Sequence, residues 1–512
     1  MKIRFHIKEK VEMDLAIERL LEKSPELRKK RRGLPGTGSR KDNLPFFSDL
    51  KIIDDAFVYS NSLYALEDSI DKKLTLFNAG AGSPLRIRPF PPAAESLKNI
   101  ANCEELSQYQ LAAGNEEYRK IIAKYLSNQG FIYQNNAVSA NNIIFNDSTT
   151  EGFNLIVDII ARPFDVVLFS GPTYGLFCYI PERHNAITKI VPLSEEDDWK
   201  VNPCVLEQYI DQLQEELHKV QMDFALEYTP RIAAYVNINP SNPTGRIMGS
   251  DDKERLISLK KLSKKYGFFI VDDIIYRDLS FPSKQLALPL ATIEGPNDNI
   301  ITMMGASKAY GLAGARAGMI IADEIVIRGI RNLVFQLMDS TPLYVGAILS
   351  SIFNTSEVRD KCYQVYFSTL NQAYYEKWLL VKGMVCGGNS LEASEQRVLN
   401  TILSGYSNDK KEEILSPIPG IKFAGNIEPD SGFFALLDFT ELKGLQYKNL
   451  VINTERDILL FFYLYAYTKL LMGASIGWPH KNEFIARVSF AMEDSALIHM
   501  FSQIRNAVKL LK

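Results

Sequence analysis

Between residues 143 and 322 short apolar, β-branched runs alternate with segments of helical period, and few folds accommodate that rhythm. The runs at 143–145, 165–170, 187–193, 232–238, 268–272, 300–304 and 318–322 are apolar at nearly every position, the pattern of strands buried on both faces of a parallel sheet. Helical periods fill the intervals at 116–126, 151–161, 205–220 and 252–266. An α/β layer structure follows, with ligands expected at the carboxyl ends of the strands. After about residue 343 the pattern changes to long helices near 357–379 and 392–403, a β segment at 432–439, a helix at 457–471, a strand at 486–491 and a last helix. That change predicts a second, smaller α+β domain, which a chain of 512 residues has the length to build.

Residues 1–32 read as charged helices ending in a basic run at 27–32, and 33–45 as a linker containing Gly, Pro and Ser. The net charge of −3 argues against nucleic acid or an anionic membrane as the main partner. Five cysteines are scattered and never form a C-x-x-C pair, as in a protein of reduced thiols rather than a disulfide or zinc framework. The histidines show no metal-ligand spacing, so no metal is expected. The first residues lack an apolar signal-peptide core. The greasiest stretch, 458–472, contains Lys469 and falls short of the ~20 residues of a bilayer span. A cytoplasmic protein is expected.

Three motifs fall at the ends of the predicted strands. Ser241-Asn242-Pro243-Thr244-Gly245 follows the run at 232–238, and Asp272-Asp273-Ile274-Ile275-Tyr276 follows the run at 268–272. Gly305-Ala306-Ser307-Lys308, continuing to Arg316 and Gly318, follows the run at 300–304. Taken singly, the first is a turn, and most lysines are surface residues. Together and in this order they resemble the active site of the class I/II aminotransferases, fold-type-I enzymes dependent on pyridoxal 5'-phosphate. The resemblance covers most of the chain from about residue 76, and residues 1–75 lie outside it.

The resemblance implies an aspartate-aminotransferase-like fold, with a large domain carrying a mainly parallel sheet between helices and a smaller α+β domain built from both chain ends. The expected division is an N-terminal extension at 1–75, the first part of the small domain at 76–104, the large cofactor-binding domain at 105–342 and the rest of the small domain at 343–512. Lys308 becomes the Schiff-base lysine, because a primary amine can form an imine with an aldehyde and then carry a proton at the substrate Cα. An aspartate with a tyrosine three positions later selects Asp273 and Tyr276, the first to keep the pyridine nitrogen protonated and the second to meet the ring hydroxyl together with Asn242. Asp272 is a rival one residue away, and alternation of strand side chains lets only one of the two reach the ring.

Arg316 stands eight residues after Lys308, the family spacing of the phosphate arginine, and Ser307 and the Ser148-Thr149-Thr150 helix start would complete the phosphate site. Tyr174 matches the aromatic that stacks on the cofactor ring, and Tyr109 the tyrosine that reaches the phosphate of the neighbouring subunit, which implies a homodimer with shared sites. Arg487 matches the arginine that binds the substrate α-carboxylate, and Gly82 lies in the glycine loop that covers the substrate beside Asn242. Two positions depart from the family pattern: Ser148 stands where glycine is usual, and Gly305 where serine is usual.

The implied activity is amino-group exchange between an L-amino acid and a 2-oxo acid. The same residues also serve a lyase of the 1-aminocyclopropane-1-carboxylate synthase type, acting by β/γ-elimination or substitution and drawing on S-adenosylmethionine, or a decarboxylase or oxidase. A relative that has lost catalysis is the third reading, and the complete set Lys308, Asp273, Asn242 and Arg316 opposes it.

Overall fold

The computed structural model describes residues 70–512 apart from 86, 135 and 224. The expected N-terminal helices, the basic run at 27–32 and the linker at 33–45 lie outside the described residues.

Seven strands form the main sheet: β1 (Ile143–Asn146), β2 (Val166–Gly171), β3 (Ile187–Pro192), β4 (Ile232–Ile238), β5 (Phe269–Asp273), β6 (Ile300–Gly305) and β7 (Gly318–Ile321), in the order β1-β7-β6-β5-β4-β2-β3. Alternate side chains serve two hydrophobic layers, as a two-residue period requires. Val236, Val271, Ile301 and Ile320 pack under helix α1 (Thr149–Ile160) and the helix Glu324–Met338 on one face. Tyr235, Ile270, Ile300 and Met319 belong to the core on the other face. Burial on both sides explains why these strands read as continuous apolar runs.

β7 corrects the expectation of a parallel strand at 318–322: it runs antiparallel to both its neighbours, β1 and β6. The reason is the connection. A parallel return needs a crossover, usually a helix, whereas the segment between β6 and β7 contains only the short turn Ala313–Ala315. The reversal has a use, since the start of β7, beside Arg316, lies at the same sheet edge as the carboxyl ends of the parallel strands.

A second sheet is antiparallel throughout, β8 (Lys422–Phe423), β9 (Phe434–Asp438), β10 (Leu471–Met472) and β11 (Ile485–Ser489), in the order β8-β9-β11-β10. The early segment Phe77–Asn78 pairs in parallel with Thr468–Lys469, so both ends of the described chain meet here. The helix expected at 457–471 is shorter, Glu455–Ala466. Tyr467 turns left-handed at φ 45°, and the Ala466 carbonyl is taken by the Gln503 amide at 2.7 Å and the Thr468 hydroxyl at 2.9 Å. With its last carbonyls bonded sideways, the apolar run continues as strand rather than helix. Helix α2 (Glu357–Cys386) extends across 30 residues alongside the early segment and the second sheet. No helix among the described residues is long and apolar enough to cross a membrane.

Candidate active site

The expected residues lie at or just after the carboxyl ends of β1, β2, β4, β5 and β6. The two aspartates at the end of β5 separate as strand alternation demands. Asp272 faces the core, where it accepts hydrogen bonds from Asn237 Nδ2 at 2.7 Å and the Leu290 amide at 2.9 Å, so both its oxygens are engaged in the fold. Asp273 turns the other way and accepts from the Ile275 amide at 3.1 Å, the one hydrogen bond of its carboxylate among the described residues. Burial pushes Asp273 up to about 7, while Lys308 acts in the opposite sense, which places the lysine and this aspartate in one field.

Lys308 follows β6. Burial first and Arg487 second bring its amine down to about 8, with Asp273 opposing. Its Nζ donates to the Gly82 carbonyl at 2.6 Å. Tyr276 is buried, and its hydroxyl accepts from Asn242 Nδ2 at 3.4 Å. Asn242 in turn accepts through Oδ1 from Arg487 Nη1 at 3.0 Å. Arg487 on β11 is 3% exposed and donates through Nη2 to the Gly80 carbonyl at 2.7 Å. Burial brings it down to about 10, and no carboxylate of the described residues pairs with it. A β-carbon built on Gly82 would stand 3.8 Å from Lys308 Nζ, 3.9 Å from Arg487 Nη2 and 3.9 Å from Phe434 Cζ. An amine and a guanidinium therefore face one small space under a residue without a side chain.

Ser148 caps α1 by accepting from the Glu151 amide at 3.1 Å, and Thr149 behind it is buried. Thr150 lies close enough to Tyr174 to act on its hydroxyl, and the Tyr174 ring packs edge-on against Phe177 at 5.0 Å. Ser307 is buried, and its hydroxyl finds no partner among the described residues. Arg316, left-handed at φ 50°, is exposed and bonds only its own turn, at the Ala313 carbonyl, among the described residues. These unsatisfied donors around a helix start suit an oxyanion. Gly305 is confined, since a β-carbon there would meet the Ala317 carbonyl at 3.0 Å. The serine that the family usually places here would need the Ala317 carbonyl to give by a small shift.

Tyr109 does not join the cluster. It is 89% exposed and lines a separate outer cleft with Leu111, Arg328, Arg331 and Phe335. Sequence reasoning missed three contributors. Phe434 lies under the Arg487 guanidinium, 4.1 Å from its ring centre, on the strand whose Leu436 pairs with Arg487. Asp147 and Glu151 bring acid to the start of α1, where burial and the neighbouring Asp147 push Glu151 up to about 7. A signal existed for the acids, which flank Ser148-Thr149-Thr150 directly. None existed for Phe434, because its diagonal relation to Arg487 depends on strand register.

A profile of the aminotransferase class I and II family matches residues 72–373. The chain belongs to this family. Among curated relatives, histidinol-phosphate aminotransferase of Aliivibrio fischeri (strain MJ11) is 24% identical over 245 residues, 48% of this chain and 62% of the relative. The chain thus spans less than two thirds of that relative's length. Among solved structures, the aspartate aminotransferase from Rhizobium meliloti superposes with a TM-score of 0.67 at 16% identity, over 89% of this chain and 96% of that one. A Thermus thermophilus aspartate aminotransferase single mutant gives 0.65 at 17% identity, over 88% and 96%. At such identities the likeness establishes the fold, which is the aspartate-aminotransferase-like architecture anticipated from the motifs. Membership of the family implies pyridoxal phosphate as cofactor.

Proposed function

We propose that this protein is a pyridoxal-phosphate-dependent aminotransferase that exchanges the amino group of an L-amino acid with a 2-oxo acid. One observation carries the reading: a buried guanidinium without a carboxylate partner, Arg487, opposes the Lys308 amine across the space under Gly82. An α-amino acid offers the complementary pair, a carboxylate for the planar fork and an amine beside the lysine.

The residues present fit the cofactor, since the buried Ser307 hydroxyl has no partner among the described residues and the Arg316 guanidinium bonds only the Ala313 carbonyl of its own turn there. Thr149, Thr150, Ser148, Ser307 and Arg316 would hold its phosphate, joined by Tyr109 of the partner subunit. Tyr174 would pack on the ring, and Asn242 and Tyr276 would meet its oxygen. Bound pyridoxal phosphate supplies an electron sink for charge left at the substrate Cα. Asp273 would keep a proton on the ring nitrogen, and Lys308 Nζ would anchor the cofactor and carry the Cα proton. Arg487 would orient the substrate by its carboxylate, fixing which Cα bond faces the lysine.

The same reading includes a homodimer. Its support lies in exposed apolar side chains beside Tyr109, where Leu111 is 58% and Phe335 63% exposed along the same outer cleft. It also keeps the division at 105–342 and 343–512, supported by two separate sheets, and a cytoplasmic location, supported by five cysteines that are all free.

The test is product analysis with a panel of amino acids and a 2-oxo acid acceptor. The reading expects one 2-oxo acid formed per amino group transferred. Ammonia, carbon dioxide or methylthioadenosine as the product would assign the site to the lyase, decarboxylase or oxidase chemistry instead.

A further inference from the structure

The segment that covers the site is held at two ends and loose between them. Upstream, the Gly80 amide donates to the Lys469 carbonyl at 3.0 Å and the Ala79 carbonyl accepts from the Ser489 amide at 2.7 Å, which fixes it to the second sheet. Downstream, the Leu85 amide donates to the Tyr374 hydroxyl at 3.1 Å. Between these anchors Gly82 and Ser83 make no backbone hydrogen bond through their amides among the described residues. Yet the carbonyls of this segment occupy both substrate-facing groups, Gly80 on Arg487 and Gly82 on Lys308. An amino acid entering the site must displace both contacts, so the segment has to yield and then settle over the ligand.

Tyr374, on α2, is 1% exposed and meets both sides of this arrangement. Its hydroxyl holds Leu85, and its ring stacks on Phe433 at 5.3 Å and 26°. Phe433 contacts Phe434 at 4.6 Å, and Phe434 carries the Arg487 guanidinium on its face. One side chain thus ties the cover over the substrate to the platform beneath its carboxylate.

We infer that Tyr374 is a positioning residue for the amino-acid substrate: through its hydroxyl it sets the resting place of the 82–85 segment over Arg487 and Lys308. The inference rests on the reading of Arg487 and Gly82 as substrate-binding. The hydroxyl hydrogen-bonds the Leu85 amide and none of the proposed cofactor residues among the described residues, so its removal should alter substrate capture and leave cofactor binding alone. Loss of one buried neutral hydrogen bond converts to about a three- to tenfold change in an equilibrium.

Tyr374→Phe in the full-length, cofactor-loaded protein is the test, because it keeps the ring stack and removes only the acceptor. The expected result is a KM for the amino acid raised about three- to tenfold, kcat within about twofold, an unchanged cofactor spectrum, and faster hydrogen exchange at the Leu85 amide. An unchanged KM alongside faster exchange at Leu85 would overturn the inference, since the segment would be loosened without consequence. So would a joint loss of kcat and cofactor, which would make Tyr374 a support of the fold. Phe433→Leu, which keeps the hydroxyl tether and alters the platform, should leave exchange at Leu85 unchanged; acceleration there would show that the tether depends on the rings and not on the hydroxyl. Arg487→Lys run in parallel separates the two levels. If that variant binds the amino acid normally, the substrate site itself is misplaced, whatever Tyr374→Phe shows.

Discussion

The two halves of the site are built in opposite ways. On the proposed reading the cofactor half, Asn242, Asp273, Tyr276, Ser307, Lys308 and Arg316, comes from neighbouring strand ends and the turns beside them. The substrate half joins Gly80–Gly82 to Arg487 across 407 residues of sequence, through a sheet strand, a stack of rings and one tyrosine hydroxyl. The first half is rigid scaffold with polar atoms left open, as at Ser307. The second half is self-occupied, since its guanidinium and the lysine amine both rest on carbonyls of the covering segment. The proposed function would thus divide preorganisation for the cofactor and displacement by the substrate between two pieces of structure.

If the division is right, damage to the two halves should separate cleanly. The largest effect belongs to Lys308→Ala, which should lower turnover by about a thousandfold or more while leaving a folded protein that holds the cofactor weakly. Steady-state kinetics with gel filtration would check it; residual turnover near wild type would remove Lys308 from the chemistry. Next, Asp273→Asn should retain cofactor yet lose about a hundredfold in kcat, as for other groups that stabilise developing charge. Asp272→Asn should stay within about threefold, because its carboxylate serves Asn237 and Leu290 only. Reversal of that order would mean that the ring faces the other side of β5.

Arg487→Lys should weaken amino-acid binding about tenfold to a hundredfold with an unchanged cofactor spectrum, because a point charge replaces a planar fork. A normal substrate titration with a lost spectrum would move Arg487 to the cofactor half. The smallest effect concerns pH. The Lys308 amine, brought down to about 8, captures an aldehyde only when neutral, so the rate of cofactor uptake by the cofactor-free protein should climb about tenfold per pH unit below 8 and level off above it. Stopped-flow absorbance would follow this, and a plateau reached only near pH 10 would show an amine unshifted by burial.

The same contrast governs what could be read from sequence. The strands of the main sheet were legible because burial on both faces leaves continuous apolar runs, and the cofactor residues because each turn motif is local. The direction of β7 was hidden, since an apolar run does not state its polarity; the length of the 306–317 connection was the available clue. The second sheet blurred because its apolar stretch at 455–472 changes from helix to strand at Tyr467 through side-chain bonds to the Ala466 carbonyl from Gln503 and Thr468. Arg487 was visible only by its family motif. Phe434 and Tyr374 carried no local signal at all, because their roles arise from strand register and from packing between distant segments.

The central claim is that Lys308 is the group which holds the cofactor opposite Arg487. Borohydride reduction of the pyridoxal-phosphate-loaded protein, followed by peptide mapping, tests it most directly. The account predicts a single stable adduct on the peptide containing Ser307 and Lys308; an adduct on any other lysine, or no adduct at full cofactor occupancy, would contradict it.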